Sequence, residues 1–462
     1  MSTTIAADAA RRDLGSFSGE LIGPGDSAYE EARPVYNAMI DRHPALIARC
    51  TDAADVIAVV GHARSEGIPL AVRGGGHNGG GLGSVDDGIV LDLSGMRGVL
   101  VDPRSRVARV LGGSLWGDVD HATHAFGLAT PTGIISTTGV GGLTLGGGVG
   151  HLTRAYGLAI DNLLAADVVL ADGSLVRASE DENADLFWAL RGGGGNFGVV
   201  VSFSFALHEL STVHAGPTVW PLEYTEEVMA AYDRFMATAP ESVGGWFAFI
   251  TVPPAPPFPE ELHGEKMCGI VWCVTDPEAL DALEAMTAIG PPALHAVGEM
   301  PMPVLNSFFD GLYPPGDQWY WRGDFVKELP ADAIALHRQY AERLPTPQST
   351  MHLYAVDGAA HRVGADDTAW AYRDARWAAV FAGVDHDPAN AGLLRDWTVA
   401  YNEALRPYSM GGSYVNFMME EGQERVRATY RDHYDRLAEI KATYDPDNVF
   451  RVNQNIHPAA RA

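Results

Sequence analysis

Cysteine and lysine are scarce in this 462-residue chain, and each shortage excludes a class of protein. The three cysteines, Cys50, Cys268 and Cys273, have neither the number nor the spacing of a disulfide framework or a zinc site, so we expect them to be small core side chains. Lysine plus arginine number 32 against 59 acidic residues, for a formal charge of −27. Such a charge repels DNA and acidic membrane surfaces, so a nucleic-acid partner is not expected.

Long apolar runs are absent as well. No stretch of about 18 consecutive apolar residues occurs, and the first residues, MSTTIAADAARRDLG, lack the apolar segment of a signal peptide. Neither secretion nor a membrane span is predicted, and we expect a cytoplasmic location. A content of 47% hydrophobic and 9% aromatic residues suits packed cores, and the length suits about two or three domains.

Glycine and tryptophan divide the chain into three parts. Residues 1–205 alternate helical and strand patterns and carry most of the glycine clusters. Residues 206–405 hold eight of the ten tryptophans, which indicates a separate domain. Residues 406–462 return to glycine, asparagine and turn chemistry.

Local patterns in the first part predict individual elements. The apolar spacing after Asp52 predicts a helix that ends at Gly67. A strand is predicted at residues 68–74 (IPLAVRG), and a hairpin at residues 163–179 that turns at Asp172-Gly173.

Three glycine-rich loops adjoin predicted strands. They are residues 73–78 (RGGGHN), residues 133–162 (GIISTTGVGGLTLGGGVGHLTRAYGLAIDN) and residues 189–203 (ALRGGGGNFGVVVSF). Because glycine has no Cβ, backbone N–H groups in such loops can approach an anion such as a pyrophosphate. Three loops of this kind predict an extended cofactor that lies between strand ends.

Two common phosphate motifs do not fit these loops. A P-loop needs Lys-Ser or Lys-Thr after its second glycine, and no loop here supplies that pair. A dinucleotide fingerprint needs GxGxxG between a strand and a helix, with an acidic residue about 20 positions later. The glycines here are too dense for that pattern, and the helix that would follow is poorly defined.

Four motifs together resemble one enzyme family. RGGGHN, GVGGLTLGGGVG followed by RAYGLAIDN, RGGGGNFGVV, and the closing YDPDNVFRVNQNIHP are similar to the berberine-bridge-enzyme-like branch of the FAD-linked oxidases. That branch shares the vanillyl-alcohol-oxidase (PCMH-type) flavin domain. The resemblance implies an α+β fold, with a two-subdomain PCMH-type FAD-binding domain formed by residues 1–205 and 406–462. Residues 206–405 would form a substrate domain with an antiparallel β-sheet covered by helices.

The resemblance assigns a covalent role to His77. In that family the histidine of the R-[GS]-G-G-H loop bonds to the 8α-methyl group of the flavin, and His77 fills this position. Many members add a second bond from a cysteine just before the GVGG run, where this chain has Ile135 or Ser136. The resemblance therefore implies FAD held by a single covalent link, as in bacterial members, and such a bond would raise the redox potential of the flavin.

Further flavin contacts follow from the same resemblance. Thr138 would line the oxygen side of the flavin, where a small residue favours access of O2, or it is simply a turn hydroxyl. Tyr414 and Asn416 form a Y-x-N element beside the isoalloxazine, whereas Asn453 suits a structural turn as well as a flavin contact. The residues expected to bind the cofactor are Arg73, Gly74, Gly75, Gly76, His77, Asn78, Gly79, Thr137, Thr138, Gly141, Gly142, Gly148, Val199, Val200, Tyr414, Asn416 and Asn453. The two valines suit an ordinary strand core equally well.

Oxidation of an alcohol or amine by a flavin also needs a base for the heteroatom proton. The candidates are Tyr354, His352, Tyr414 and Tyr156. Strand alternation places His352 and Tyr354 on one face, either the pocket side or the opposite side. A tyrosine base needs its pKa of about 10 lowered by a nearby cation, and Arg154 or Arg322 is a candidate for that cation.

These features favour an oxidase that takes a hydride from a small alcohol, amine or activated C–H compound and reduces O2 to H2O2. The alternatives are a dehydrogenase with a non-oxygen acceptor, a carbohydrate oxidase, and a flavin-binding protein without turnover. The aromatic central domain favours an apolar or aromatic metabolite first and a sugar second. No metal and no membrane partner is expected, and the protein is expected to be a monomer or a homodimer.

Overall fold

A computed structural model describes residues 13–15 and 17–460 and contains four β-sheets among them. The strands are β1 (Glu20–Ile22), β2 (Leu46–Arg49), β3 (Leu70–Arg73), β4 (Ile89–Asp92), β5 (Val99–Asp102), β6 (Val107–Leu111), β7 (Leu128–Ala129), β8 (Leu163–Val169), β9 (Leu175–Ser179), β10 (Val199–Ala206), β11 (His208–Glu209), β12 (Thr212–Pro221), β13 (Val243–Thr251), β14 (Lys266–Val274), β15 (Leu294–His295), β16 (Gly298–Pro301), β17 (Gln318–Val326), β18 (Thr350–Ala355) and β19 (Trp377–Asp385). The α-helices are α1 (Tyr29–Ala32), α2 (Ala53–Glu66), α3 (Trp116–His124), α4 (Val140–Leu145), α5 (Thr153–Tyr156), α6 (Ala184–Leu190), α7 (Thr225–Met236), α8 (Glu284–Thr287), α9 (Met302–Ser307), α10 (Ala331–Ala341), α11 (Ala391–Leu405), α12 (Gln423–Tyr430) and α13 (His433–Tyr444).

A small sheet with the order β1-β2-β4-β3 carries the first glycine loop. Strands β2 and β3 pair parallel to β4, and β3 ends directly at Arg73. The predicted helix after Asp52 is confirmed as α2. The Asp52 side chain caps the start of this helix by accepting a hydrogen bond from the Asp55 amide. Gly67 ends it in the left-handed region at φ 67°.

A five-stranded antiparallel sheet with the order β5-β6-β10-β8-β9 carries the other two glycine loops. The predicted hairpin at residues 163–179 is confirmed, since β8 and β9 pair antiparallel. Gly173 makes its turn with φ 84°. Strand β10 follows the third glycine loop directly and lies in the middle of this sheet, so that loop is anchored by a buried strand.

The central part of the chain forms an eight-stranded antiparallel sheet. Its order is β15-β12-β14-β13-β18-β19-β17, with β16 beside β12. Helices α7, α10 and α11 cover one face, and the core beneath them contains Trp220, Trp272 and Trp377. The α+β fold class and the helix-covered sheet are therefore confirmed, and several of the tryptophans are core residues rather than substrate contacts.

The last segment of the chain packs against the glycine loops. The ammonium group of Lys441 in α13 donates to the carbonyl of Asn196 in the third glycine loop at 2.7 Å. Cys50, Cys268 and Cys273 are buried and free, as expected for core side chains. None of the helices in the described part of the chain has both the length and the hydrophobicity to cross a bilayer.

Candidate active site

A cavity of about 360 Å³ lies between the three glycine loops and the open face of the eight-stranded sheet. One wall consists of backbone from residues 73–78, 139–145 and 194–200. The opposite wall is formed by β17, β18 and β19 with side chains such as Trp319, His352 and Val380. Residues 414–417 and 450–454 complete the lining from the C-terminal segment.

The glycine wall suits a large, anionic cofactor. Gly75 and Gly139 pack backbone against backbone, and a Cβ on either glycine would collide with the other loop. Gly142 and Gly195 also line the cavity, and a Cβ on either would have no atom within 4 Å. Side chains there would occupy the cavity, so glycine leaves space and exposes backbone N–H groups to a bound dinucleotide.

His77 lies in this wall as a half-buried, neutral imidazole. Burial lowers its pKa from 6.5 to about 4, although a hydrogen bond with Thr137 acts in the opposite direction. Thr137 Oγ1 and His77 Nε2 are 3.2 Å apart, and the ring of Tyr36 stacks on the imidazole with a centroid distance of 4.1 Å. The ring is therefore held in one plane, and at neutral pH it keeps an unprotonated nitrogen that can act as a nucleophile.

A short segment made of Tyr36 and Asn37 connects the His77 loop to the opposite wall. The Tyr36 hydroxyl donates to the Tyr313 carbonyl at 2.7 Å. The fully buried Asn37 amide donates to the carbonyls of Gly79 and Trp319 at 2.8 and 2.9 Å, and its oxygen accepts from the Trp319 amide at 2.9 Å. Sequence reasoning missed this segment because no motif surrounds it.

His352 and Tyr354 form a hydrogen-bonded pair on the cavity side of β18. The Tyr354 hydroxyl and His352 Nδ1 are 2.7 Å apart, and both residues line the cavity. Burial lowers the pKa of His352 to about 3, and it raises the pKa of Tyr354 well above 10. Both groups are therefore neutral at pH 7. The sequence did not determine which face of the strand they occupy, and the structure places them on the cavity side.

Neither Arg154 nor Arg322 is the expected cation beside a tyrosine base. Arg154 is buried in an ion pair with Asp357 and donates to the Val243 carbonyl at 2.9 Å. Arg322 donates to the Tyr320 hydroxyl at 2.6 Å and faces Glu421 at 3.7 Å. Each guanidinium has its own partners, and the pKa of Tyr354 is raised rather than lowered.

Tyr414 and Asn416 hold the second glycine loop. The Tyr414 hydroxyl accepts from the Gly148 amide at 2.9 Å and from Asn416 Nδ2 at 2.7 Å. Asn453 donates to the Gly195 carbonyl at 3.1 Å, so it supports the third loop. All three also line the cavity. The hydrogen bond to Gly195 supports the structural role that the sequence suggested for Asn453.

Most of the predicted site residues come together, but four do not line the cavity. The lining includes Arg73, Gly74, Gly75, Gly76, His77, Asn78, Thr138, Gly141, Gly142, Val199, Val200, Tyr354, His352, Tyr414, Asn416 and Asn453. Gly79 lies against the indole of Trp321, Thr137 reaches the site through His77, and Gly148 reaches it through Tyr414. Tyr156 stacks on His208 at 4.0 Å, outside the cavity, so the structure offers no support for it as a base.

Two family models match parts of the chain. Residues 44–179 match the model described as FAD binding domain, and residues 413–457 match the model described as berberine and berberine like. The first match contains His77 and the second contains Tyr414, Asn416 and Asn453. Both matched segments line the cavity.

Relatives match over nearly the whole chain. The FAD-linked oxidoreductase YgaK of Bacillus subtilis is 31% identical over 456 residues, which cover 96% of this chain and 98% of that protein. The (R)-6-hydroxynicotine oxidase of Paenarthrobacter nicotinovorans is 32% identical over 470 residues, covering 96% and 97%. The crystal structure of 6-hydroxy-D-nicotine oxidase from Arthrobacter nicotinovorans superposes with a TM-score of 0.86 at 27% identity, covering 96% and 98%. The chain therefore belongs to the berberine-bridge-enzyme-like FAD-linked oxidoreductases, and the predicted resemblance is confirmed.

Proposed function

We propose that the protein is an oxidase that holds FAD through one covalent bond to His77, takes a hydride from a small organic substrate and passes the electrons to O2 with formation of H2O2. The observation that carries this proposal is the His77 imidazole, which is neutral and is fixed by Tyr36 and Thr137 inside the first glycine loop. Bound in the cavity, FAD supplies a two-electron acceptor. The backbone of the three glycine loops and the residues around Tyr414 would hold it.

A single covalent bond is supported by the residues before the second glycine loop. Ile135 lines the cavity and has no nucleophilic atom. Ser136 is engaged with Asp310, since its amide donates to that carboxylate at 2.9 Å and its hydroxyl donates at 2.5 Å. The three cysteines are buried and none of them lines the cavity, which supports attachment through His77 alone.

The Tyr354 and His352 pair is the proton acceptor for the substrate in this proposal. When the His352 proton is on Nε2, its Nδ1 accepts the Tyr354 hydroxyl proton, and the phenol oxygen can accept a proton from a substrate hydroxyl. As the C–H bond gives up its hydride, the O–H proton passes to Tyr354 and the Tyr354 proton passes to His352. The substrate becomes a carbonyl compound, and bound FAD would supply the acceptor for the hydride. The negative charge added with the hydride would offset the imidazolium formed on His352, so atoms and charge balance.

Oxygen as the acceptor is supported by Thr138. This small side chain lines the cavity and leaves more room beside the cofactor than a bulky residue would. A dehydrogenase with a quinone or protein acceptor is the competing proposal. Reoxidation of the reduced enzyme in air-saturated buffer within seconds supports the oxidase, whereas reoxidation over many minutes supports the dehydrogenase.

The covalent bond is tested by acid precipitation of the purified protein. Yellow colour that remains in the pellet, and a fluorescent band on a denaturing gel, are the expected results. His77→Ala should release the colour, whereas His121→Ala, at an exposed position, should keep it. Free FAD in the supernatant of the unaltered protein would refute the covalent bond.

A further inference from the structure

Among the described residues, none of the side chains on the part of the cavity that faces away from the glycine loops carries a permanent charge. Its wall is formed by Tyr313, Trp319, Trp321, Thr350, Val380 and Ala382, together with His352 and Tyr354. Among the described residues that line the cavity, the one side chain with a permanent charge is Arg73. Arg73 belongs to the first glycine loop, and its guanidinium is paired with Asp92 at 2.9 Å, with both side chains buried.

The polar groups on the sheet wall are also neutral. His352 and Tyr354 share one hydrogen bond at 2.7 Å, and the displaced pKa values of both keep them uncharged at pH 7. The Thr350 hydroxyl donates to the Phe249 carbonyl at 2.8 Å. The wall therefore offers hydrogen-bonding oxygen and nitrogen atoms but no counter-ion.

An ionic substrate would lose its hydration in this cavity without gaining a partner. A buried charge is tolerated when an opposite charge and hydrogen bonds replace the water. The lining residues that the structure describes offer neither a carboxylate nor an unpaired cation. The indoles of Trp319 and Trp321 could attract an ammonium ion through their ring faces. That attraction replaces only part of the lost hydration, because an aromatic face carries no net charge.

We propose that the substrate is uncharged, with a hydroxyl group on an aromatic or apolar body, and that the site discriminates against protonated amines and carboxylates. This inference rests on the proposed oxidase function and narrows its substrate from alcohols, amines and activated C–H compounds to neutral alcohols. The hydroxyl proton would go to the Tyr354 and His352 pair, and bound FAD would supply the acceptor for the hydride.

The test is equilibrium binding to the flavin-loaded protein at pH 7. The probes are benzyl alcohol, benzylamine and benzoate, with the corresponding naphthalene compounds as a larger set. Binding is followed by the change in the flavin absorption spectrum and by calorimetry, so turnover is not needed. We expect each alcohol to bind at least about tenfold more tightly than the amine and the acid of the same size. An amine or acid that binds as tightly as its alcohol would overturn the proposal, and so would a panel in which no alcohol binds.

A pair of variants places a charge on the proposed wall. Ala382 is buried, lines the cavity and has a small side chain. Ala382→Asp should increase the affinity for the amine probes at least about tenfold relative to Ala382→Asn, which has nearly the same shape without the charge. Equal amine affinities in the two variants would contradict the assignment of this wall to the substrate. Reoxidation of the reduced, unaltered protein over many minutes in air-saturated buffer would refute the oxidase proposal instead, so the two failures are distinguishable.

Discussion

Lys441 and Asp445 form an ion pair in which neither side chain is exposed, and this pair fixes the third glycine loop. The ammonium group donates to Asp445 at 2.8 Å and to the carbonyls of Asn196 and Phe450 at 2.7 and 2.9 Å. Asn196 lines the cavity. Lys441→Met removes the charge and the three hydrogen bonds while keeping a side chain of similar length.

The expected cost of this substitution is large because Asp445 stays buried without its cation. Removal of one partner from a buried ion pair costs about 3–5 kcal/mol. Unfolding entropy is about 2.1 cal/mol/K per residue, or about 1 kcal/mol/K for a chain of 462 residues. The melting temperature should therefore fall by about 3–5 °C.

Differential scanning calorimetry of the flavin-loaded protein measures this change. Lys327→Met, at an exposed position, is the matched control and should melt within about 1 °C of the unaltered protein. The double variant Lys441→Met with Asp445→Asn should recover part of the loss, since the buried charge is then removed. The reasoning is refuted if Lys441→Met melts like the control, or if the double variant is no more stable than the single one.

Three further predictions concern the site and the buried histidines. Tyr36→Leu should lower the fraction of covalently bound flavin, measured by gel fluorescence, because the His77 ring loses its stacking partner, whereas Tyr36→Phe should keep it. Tyr354→Phe should slow flavin reduction by an alcohol substrate at least about 100-fold in stopped-flow measurements, because the proton acceptor is lost, while alcohol binding is retained. His151 is buried, and neither ring nitrogen has a hydrogen-bond partner within the described part of the chain. Burial lowers its pKa from 6.5 to about 3. Below pH 6.5 the histidine is therefore protonated in the unfolded chain but stays neutral in the folded chain, so the free energy of unfolding falls as the pH falls. His151→Leu removes this effect, and between pH 6.5 and 4.5 it should reduce the loss of unfolding free energy by about 2 kcal/mol.

The outcomes that would contradict these predictions are specific. A Tyr36→Leu protein with full covalent flavin would show that stacking does not orient His77. Equal reduction rates in Tyr354→Phe and the unaltered protein would remove Tyr354 as proton acceptor. If His151→Leu loses stability between pH 6.5 and 4.5 as steeply as the unaltered protein, the acid sensitivity arises elsewhere.

The glycine loops and several elements were predictable because their signals are local. A helix start at Asp52, a stop at Gly67 and a hairpin turn at Gly173 each depend on backbone geometry that a few neighbouring residues determine. The same holds for His77, whose position inside a loop of consecutive glycines is visible in six residues of sequence. The family resemblance added the order of four such motifs.

The opposite wall of the cavity was less predictable because its contacts join distant residues. Tyr36 reaches Tyr313 across 277 positions, and no local pattern indicates that pairing. Alternation put His352 and Tyr354 on one face, but only the packing of the helices on the other face determines that they line the cavity. The cation expected from Arg154 failed for the same reason, since its partner Asp357 is 203 positions away.

The Asn37 side chain fixes the glycine-loop wall and the sheet wall of the cavity relative to each other. Its side chain offers two N–H donors and an oxygen that can accept twice, and all four capacities are used by Gly79, Trp319 and Met39. The loop that carries His77 and the strand that carries Trp319 are therefore fixed to the same buried amide. A substitution on the sheet wall can change which substrate fits without moving the His77 loop, provided that the Trp319 backbone keeps its place. The proposed substrate wall on β17, β18 and β19 is therefore separable from the loop that would hold the cofactor.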